Sequence, residues 1–165
     1  MPMLKMVKST EQYLLKKAGI LYIRTPLEMQ IVNGKEYILP KKSIAKDLGF
    51  IIGQKGIQSA MEKFDSLKAM NDYFTNDSEL NQLGKELYRN YGMINESTEI
   101  YELAIHEYPN SFQLFYSYGD LLSENKNEKA FDCYRKCIEL YNNNSENHKY
   151  GQEYEKVLKK VEEKK

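Results

Sequence analysis

The chain has 165 residues, enough for one domain, with 24 Lys+Arg against 24 Asp+Glu. That balance leaves no overall field to draw it to nucleic acid or to an anionic bilayer. Its longest apolar runs, such as Gly49-Phe50-Ile51-Ile52-Gly53, are too short to span a membrane.

In chain order, Met1-Pro2-Met3-Leu4-Lys5-Met6-Val7-Lys8 lacks the apolar core of a secretion signal, so the chain as it stands is expected to remain in the cytoplasm. A first helix is predicted over 4–17, with Leu4, Val7, Tyr13 and Leu14 apolar and Gly19 as its stop. Thr25-Pro26 reads as cap and first turn of a short helix ending at Asn33-Gly34. Lys35 to Pro40 reads as an extended link, because the residue before a proline avoids helical geometry. Residues 1–41 thus form an N-terminal segment, and 42–165 a helical domain.

Helix pairs are predicted at 43–54 with 57–70, 78–91 with 96–107, and 111–124 with 128–141. A last helix is predicted over 145–162. The polar runs Asn76-Asp77-Ser78 and Asn142-Asn143-Asn144-Ser145 stand where helix caps belong.

Gly49, Gly84, Gly119 and Gly151 recur at intervals of 35, 35 and 32 residues. Leu48, Leu83, Tyr118 and Tyr150 precede them, and Ile52, Leu87, Leu122 and Tyr154 follow three residues later. The second helix of each pair carries its own triplet: Ala60, Phe64, Leu67; Ser97, Tyr101, Ala104; Ala130, Tyr134, Cys137. Spacing of i, i+4, i+7 places each triplet on one helix face. Glycine inside a helix costs about 1 kcal/mol against alanine, so its recurrence points to close approach of paired helices. A period in the mid-thirties marks a stacked helical repeat, which works through its surface. The predicted fold is all-α, an α-solenoid of about three antiparallel helix pairs with a C-terminal capping helix.

On these residues the chain resembles the tetratricopeptide repeat. Phe115, Tyr118-Gly119, Leu122, Ala130, Tyr134 and Cys137 carry the likeness in the third unit. Leu80, Leu83-Gly84, Leu87, Ser97, Tyr101, Ala104 and Pro109 carry it in the second. Asn142 stands where the third unit should close on proline, and Ala45 and Ile52 replace aromatics in the first.

A second resemblance covers roughly residues 26–143. Leu39-Pro40-Lys41-Lys42-Ser43-Ile44-Ala45, Lys55-Gly56-Ile57, Ala60-Met61-Glu62-Lys63-Phe64 and Glu79-Leu80-Asn81-Gln82-Leu83-Gly84 are similar to the helical C-terminal extension of bacterial serine hydrolases of the β-lactamase and penicillin-binding-protein class. The chain as it stands lacks the catalytic domain which that resemblance places before residue 26. Ser43-Ile44-Ala45-Lys46 and Ser123-Glu124-Asn125-Lys126 satisfy that class's Ser-x-x-Lys, and Tyr88-Arg89-Asn90 and Tyr141-Asn142-Asn143 its second motif. The third, a Lys-Thr-Gly strand, is absent, and ten serines in a lysine-rich chain yield a Ser-x-x-Lys by chance. Ser43 reads better as part of a helix start, and Ser123 as the end of a helix.

Cys133 and Cys137, one turn apart, read as reduced packing residues. His106 and His148 lack metal-ligand spacing, and no phosphate loop appears. No catalytic residue, metal or cofactor is expected.

The tetratricopeptide resemblance implies a concave groove lined by the first helix of each pair. Its positions lie three residues before, one after and four after each glycine. They select Lys46 and Phe50 with Gly53, then Asn81, Lys85 and Tyr88. They also select Tyr116 and Asp120 with Ser123, then His148 with Gln152 and Glu155. Phe50, Tyr88 and Tyr116 would be aromatic anchors. The expected function is a non-catalytic scaffold that binds a protein or peptide. A truncated or split hydrolase is one alternative, and a structural array dimerising through Ile20, Leu21, Tyr22 and Ile23 is another.

Overall fold

The structure, a computed structural model, describes residues 42–70 and 72–163. The helix expected over 4–17, the Thr25-Pro26 start, the extended link at 35–40 and the Ile20–Ile23 patch lie outside the described residues. Nearly all of what is described is helical: seven α-helices, one 3-10 helix and a single pair of two-residue strands. The chain divides into two compact units, with the boundary between Gly92 and Met93. The predicted pair 78–91 with 96–107 is therefore shared between units, one helix in each. Among the described residues no helix is long and apolar enough to cross a membrane.

The first unit contains β1 (Lys42–Ser43), α1 (Ile44–Lys55), α2 (Ile57–Ala69), β2 (Tyr73–Phe74) and α3 (Asp77–Tyr91). Ser43 begins α1 as a side-chain cap, its Oγ accepting from the Lys46 amide at 3.2 Å. Gly56, at φ 82°, is the one residue between α1 and α2, a conformation open to glycine alone at little strain. Ile44, Ala45, Leu48 and Ile52 of α1 are buried, as are Ala60 and Phe64 of α2. Asn76 caps α3 by accepting from the Glu79 amide at 3.0 Å, and Gly92 ends it in the left-handed region.

Two features of this unit lay beyond the sequence. β1 and β2 pair in parallel, Lys42 opposite Tyr73 and Ser43 opposite Phe74. Glu79, 2% exposed, accepts hydrogen bonds from Ser43 Oγ and from the Ala45 amide at 3.2 Å. An acidic side chain of α3 thus closes the positive N-terminal end of α1.

The second unit contains α4 (Ile94–Glu107), α5 (Phe112–Glu124), α6 (Ala130–Asn143), a 3-10 helix (Ser145–Tyr150) and α7 (Gly151–Glu162). Ser111 caps α5, accepting from the Leu114 amide at 3.4 Å. α6 starts at Ala130 rather than 128, because Asn127 and its neighbours form a turn in which the Lys129 amide donates to Asn127 Oδ1 at 3.0 Å. α5 packs on α6, and α6 on α7. The single helix expected over 145–162 is a 3-10 segment followed by an α-helix. Asn147, buried, donates from Nδ2 to the Leu140 carbonyl at 3.0 Å and so ties the 3-10 segment to the last turn of α6.

Of the second-helix triplets, Ala60, Phe64, Ser97, Tyr101, Ala104, Ala130, Tyr134 and Cys137 are buried, while Leu67 is half-buried. The glycines divide into two kinds. Gly49, Gly84 and Gly119 are buried inside α1, α3 and α5. At Gly119 a Cβ would stand 2.7 Å from Tyr134 Cε1 and 3.3 Å from Cys133 Cβ, so close approach of α5 and α6 requires glycine. Gly151 instead opens α7, and a Cβ there would meet only the Tyr141 hydroxyl, at 3.6 Å.

The two positions should respond oppositely to alanine. Gly119→Ala forces a fully buried ring to move and is expected to lose about 1–2 kcal/mol even after its gain in helix propensity. Gly151→Ala adds only ordinary contact and should gain up to about 1 kcal/mol. Urea unfolding of both variants measures the difference.

Candidate functional site

In the first unit, Lys46 and Phe50 stand on the outer side of α1, Phe50 at 53% exposure. On α3, Lys85 is exposed and Tyr88 half-buried, with the Arg89 guanidinium 5.0 Å from its ring centroid. Asn81, expected to be open, is 5% exposed and lies in the buried stripe with Leu80 and Leu83.

In the second unit, Tyr116 and Asp120 share the face of α5 on which α6 and α7 contribute Tyr134 and Lys160. Tyr134 Oη donates to Asp120 Oδ1 at 2.9 Å, and Lys160 Nζ donates to the same oxygen at 2.6 Å and to Tyr134 Oη at 2.9 Å. Desolvation pulls the Lys160 pKa down, but its hydrogen bonds to Asp120 and Tyr134 and the charge of Asp120 outweigh it and hold the pKa above the ordinary lysine value. Burial, opposed by the Lys160 hydrogen bond and reinforced by Asp120, pushes the Tyr134 hydroxyl up to about 12. Burial and the Asp120 charge also raise Tyr116. These two predicted groove residues therefore belong to a three-helix polar network.

His148, on the 3-10 helix, is exposed, its ring 4.8 Å from that of Tyr141. Tyr141 stacks on Tyr154 at 3.8 Å, and Phe112 on Tyr150 at 5.1 Å. Together these rings fasten the C-terminal helices to α5 and α6.

Of the groups weighed for chemistry, Ser43 and the two cysteines are held structurally. Ser43 Oγ is committed to Glu79 and to the Lys46 amide, while the Lys46 side chain is exposed. Cys133 and Cys137 are free thiols in buried positions. Burial and the nearby Asp132 charge push Cys133 up to about 11, and burial raises Cys137 as well, so both are protonated at neutral pH. No group of three or more His, Cys, Asp or Glu able to hold a metal ion occurs among the described residues.

A different feature emerges where α4, α5 and α6 meet. An open cleft of about 430 Å³ has Phe115, Tyr118 and Leu122 of α5 as its floor. Glu102 and Ile105 of α4 form one wall. Lys129, the residue before α6, forms the other with Asp132, Cys133 and Lys136 of α6, in line along one helical stripe. Tyr118 Oη donates to Glu102 Oε1 at 3.1 Å, which secures that carboxylate at the rim. Burial, then the charge and hydrogen bond of Glu102, raises the Tyr118 pKa and keeps the phenol a donor. Chemically the cleft is an apolar trough with charged edges. Its one sequence signal is the spacing of Phe115, Tyr118 and Leu122, which the tetratricopeptide resemblance assigns to repeat packing.

No family model, curated protein or solved structure matches the chain.

The raised acids share one sign. A phenol or thiol whose folded pKa exceeds its unfolded one favours folding fully below the unfolded value and loses that contribution as pH climbs through the folded one. Tyr73, whose hydroxyl donates to Asp47 Oδ2 at 2.5 Å, is pushed up to about 12 by that bond and by burial, and acts the same way in the first unit. Lys160 follows the same rule from its ordinary 10.5 upward. Stability should hold from neutral pH to about 9 and fall between about 10 and 12. Denaturant melts along a pH series check this. Phenolate absorbance should show a late-titrating class among the 14 tyrosines.

Proposed function

We propose that this chain is a non-catalytic, tetratricopeptide-like helical module that binds a protein or peptide, akin to the helical extension of β-lactamase-class serine hydrolases. The observation that carries the reading is the cleft of the second unit. Its floor of Phe115, Tyr118 and Leu122 offers apolar contact, and its volume of about 430 Å³ falls in the range of sites that accept whole side chains. A protonated, buried Cys133 makes that wall a packing surface and a poor nucleophile. Ser43, the serine of one Ser-x-x-Lys, serves as a helix cap, which favours binding over hydrolysis as the role of this segment.

The repeat register supports the architecture: three glycines buried within helices, and a small-aromatic-small triplet buried in the second and third units. In the first unit, exposed Lys46, Phe50 and Lys85 present a further contact surface on α1 and α3.

Selection of peptides from a random display library against the whole chain tests this function. Selected peptides should share an apolar anchor, and Phe115→Lys should weaken them at least tenfold in fluorescence anisotropy while leaving the helical circular dichroism unchanged. Binding that is indifferent to Phe115→Lys would exclude the cleft.

A further inference from the structure

The two walls of the cleft differ in charge. α4 carries Glu96, Glu99, Glu102 and Glu107 and has neither lysine nor arginine, and Glu102 stands at the rim. Along the α6 wall, Asp132 is answered by Arg135 at 2.8 Å and Lys136 by Glu139 at 2.6 Å, both on their own helix. Among the described residues, the uncompensated charge of that wall therefore comes from exposed Lys129. Between the walls runs an apolar stripe from Phe115 to Leu122, two helical turns or about 10 Å long.

An extended peptide points its side chains alternately into the trough and away from it, and has none to offer sideways. A helix laid along the trough places an apolar stripe on the floor and, at the same time, a flank of side chains against each wall. We propose that the cleft binds an amphipathic helical peptide whose apolar stripe is bordered by basic residues on one side and acidic residues on the other. The basic border would face Glu102 and the acidic border Lys129. This inference rests on the peptide-binding reading above and adds the shape and charge of the ligand.

Three dye-labelled synthetic helices with one leucine stripe test it: one with a lysine border and a glutamate border, one with two glutamate borders, one with two lysine borders. At low salt the mixed-border peptide should bind about fivefold more tightly than either other, and the advantage should fade at high salt. Glu102→Gln, which keeps an acceptor for Tyr118, should remove the discrimination against the doubly acidic peptide. Lys129→Gln should remove that against the doubly basic one. Equal affinity for all three peptides, lost on Phe115→Lys, would overturn the charge assignment and leave an apolar peptide site standing. Failure of all three to bind, while library-selected peptides remain sensitive to Phe115→Lys, would overturn the helical ligand alone. Affinity unchanged by Phe115→Lys would overturn this inference and the cleft together.

Discussion

α5 and α6 meet at a point where one helix has no side chain. The ring of Tyr134 lies so close to Gly119 that a Cβ there would be 2.7 Å from Cε1, a separation real methyl groups do not adopt. That contact fixes more than a helix pair. With the ring fully buried, its hydroxyl reaches Asp120, the next residue along α5, and Lys160 of α7 closes the network on both. Cys133, beside Tyr134 and 3.3 Å from the same vacant Cβ position, is brought to the cleft, and the stripe through Lys129 and Lys136 follows from helical geometry. Core, C-terminal anchor and cleft wall therefore descend from one close approach.

The first unit is held by different means. A buried carboxylate, Glu79, joins α3 to the start of α1 by accepting from a hydroxyl and a backbone amide. An unpaired buried carboxylate would be strongly unfavourable, and here the donors and the helix N-terminus offset its desolvation. Tyr73, from the short strand next to α3, adds a second such link to Asp47 in the first turn of α1.

Helix positions were readable because the chain punctuates them chemically. Ser43, Asn76, Ser111 and Asn144 each accept a backbone amide at a helix start, and Gly56 and Gly92 adopt the positive φ that stops need. The triplets were readable because small and aromatic residues at helical spacing have few other uses. The parallel bridge was not, since two residues per strand leave no periodicity. Gly151 matched the register in sequence, yet it opens a helix where the other three glycines are interior. The glycine register places Tyr116 and Asp120 on an open groove because it counts positions along α5 alone, whereas Lys160 of α7 turns inward to Asp120. The cleft was hidden for a related reason. Each of its residues is ordinary on its own helix, and only the convergence of three helices makes them the lining of a cleft.

What keeps such a trough from closing is visible in two neighbouring residues of α5. Tyr118 stacks on Tyr101 of α4 with ring centroids 5.6 Å apart and hydrogen-bonds Glu102 one residue further on, so the α4 wall is spaced by a ring it cannot displace. Gly119, the next residue, seats α6 by the contact with Tyr134. Both walls are thus referenced to the same turn of the floor helix, one through the bulk of a side chain and the other through its absence. A trough built this way is preorganised. Tyr118 and Leu122 of the floor are buried, so little freedom remains in those two side chains. Glu102 at the rim is held by the phenol that sets the spacing, which places shape and charge under one residue, Tyr118.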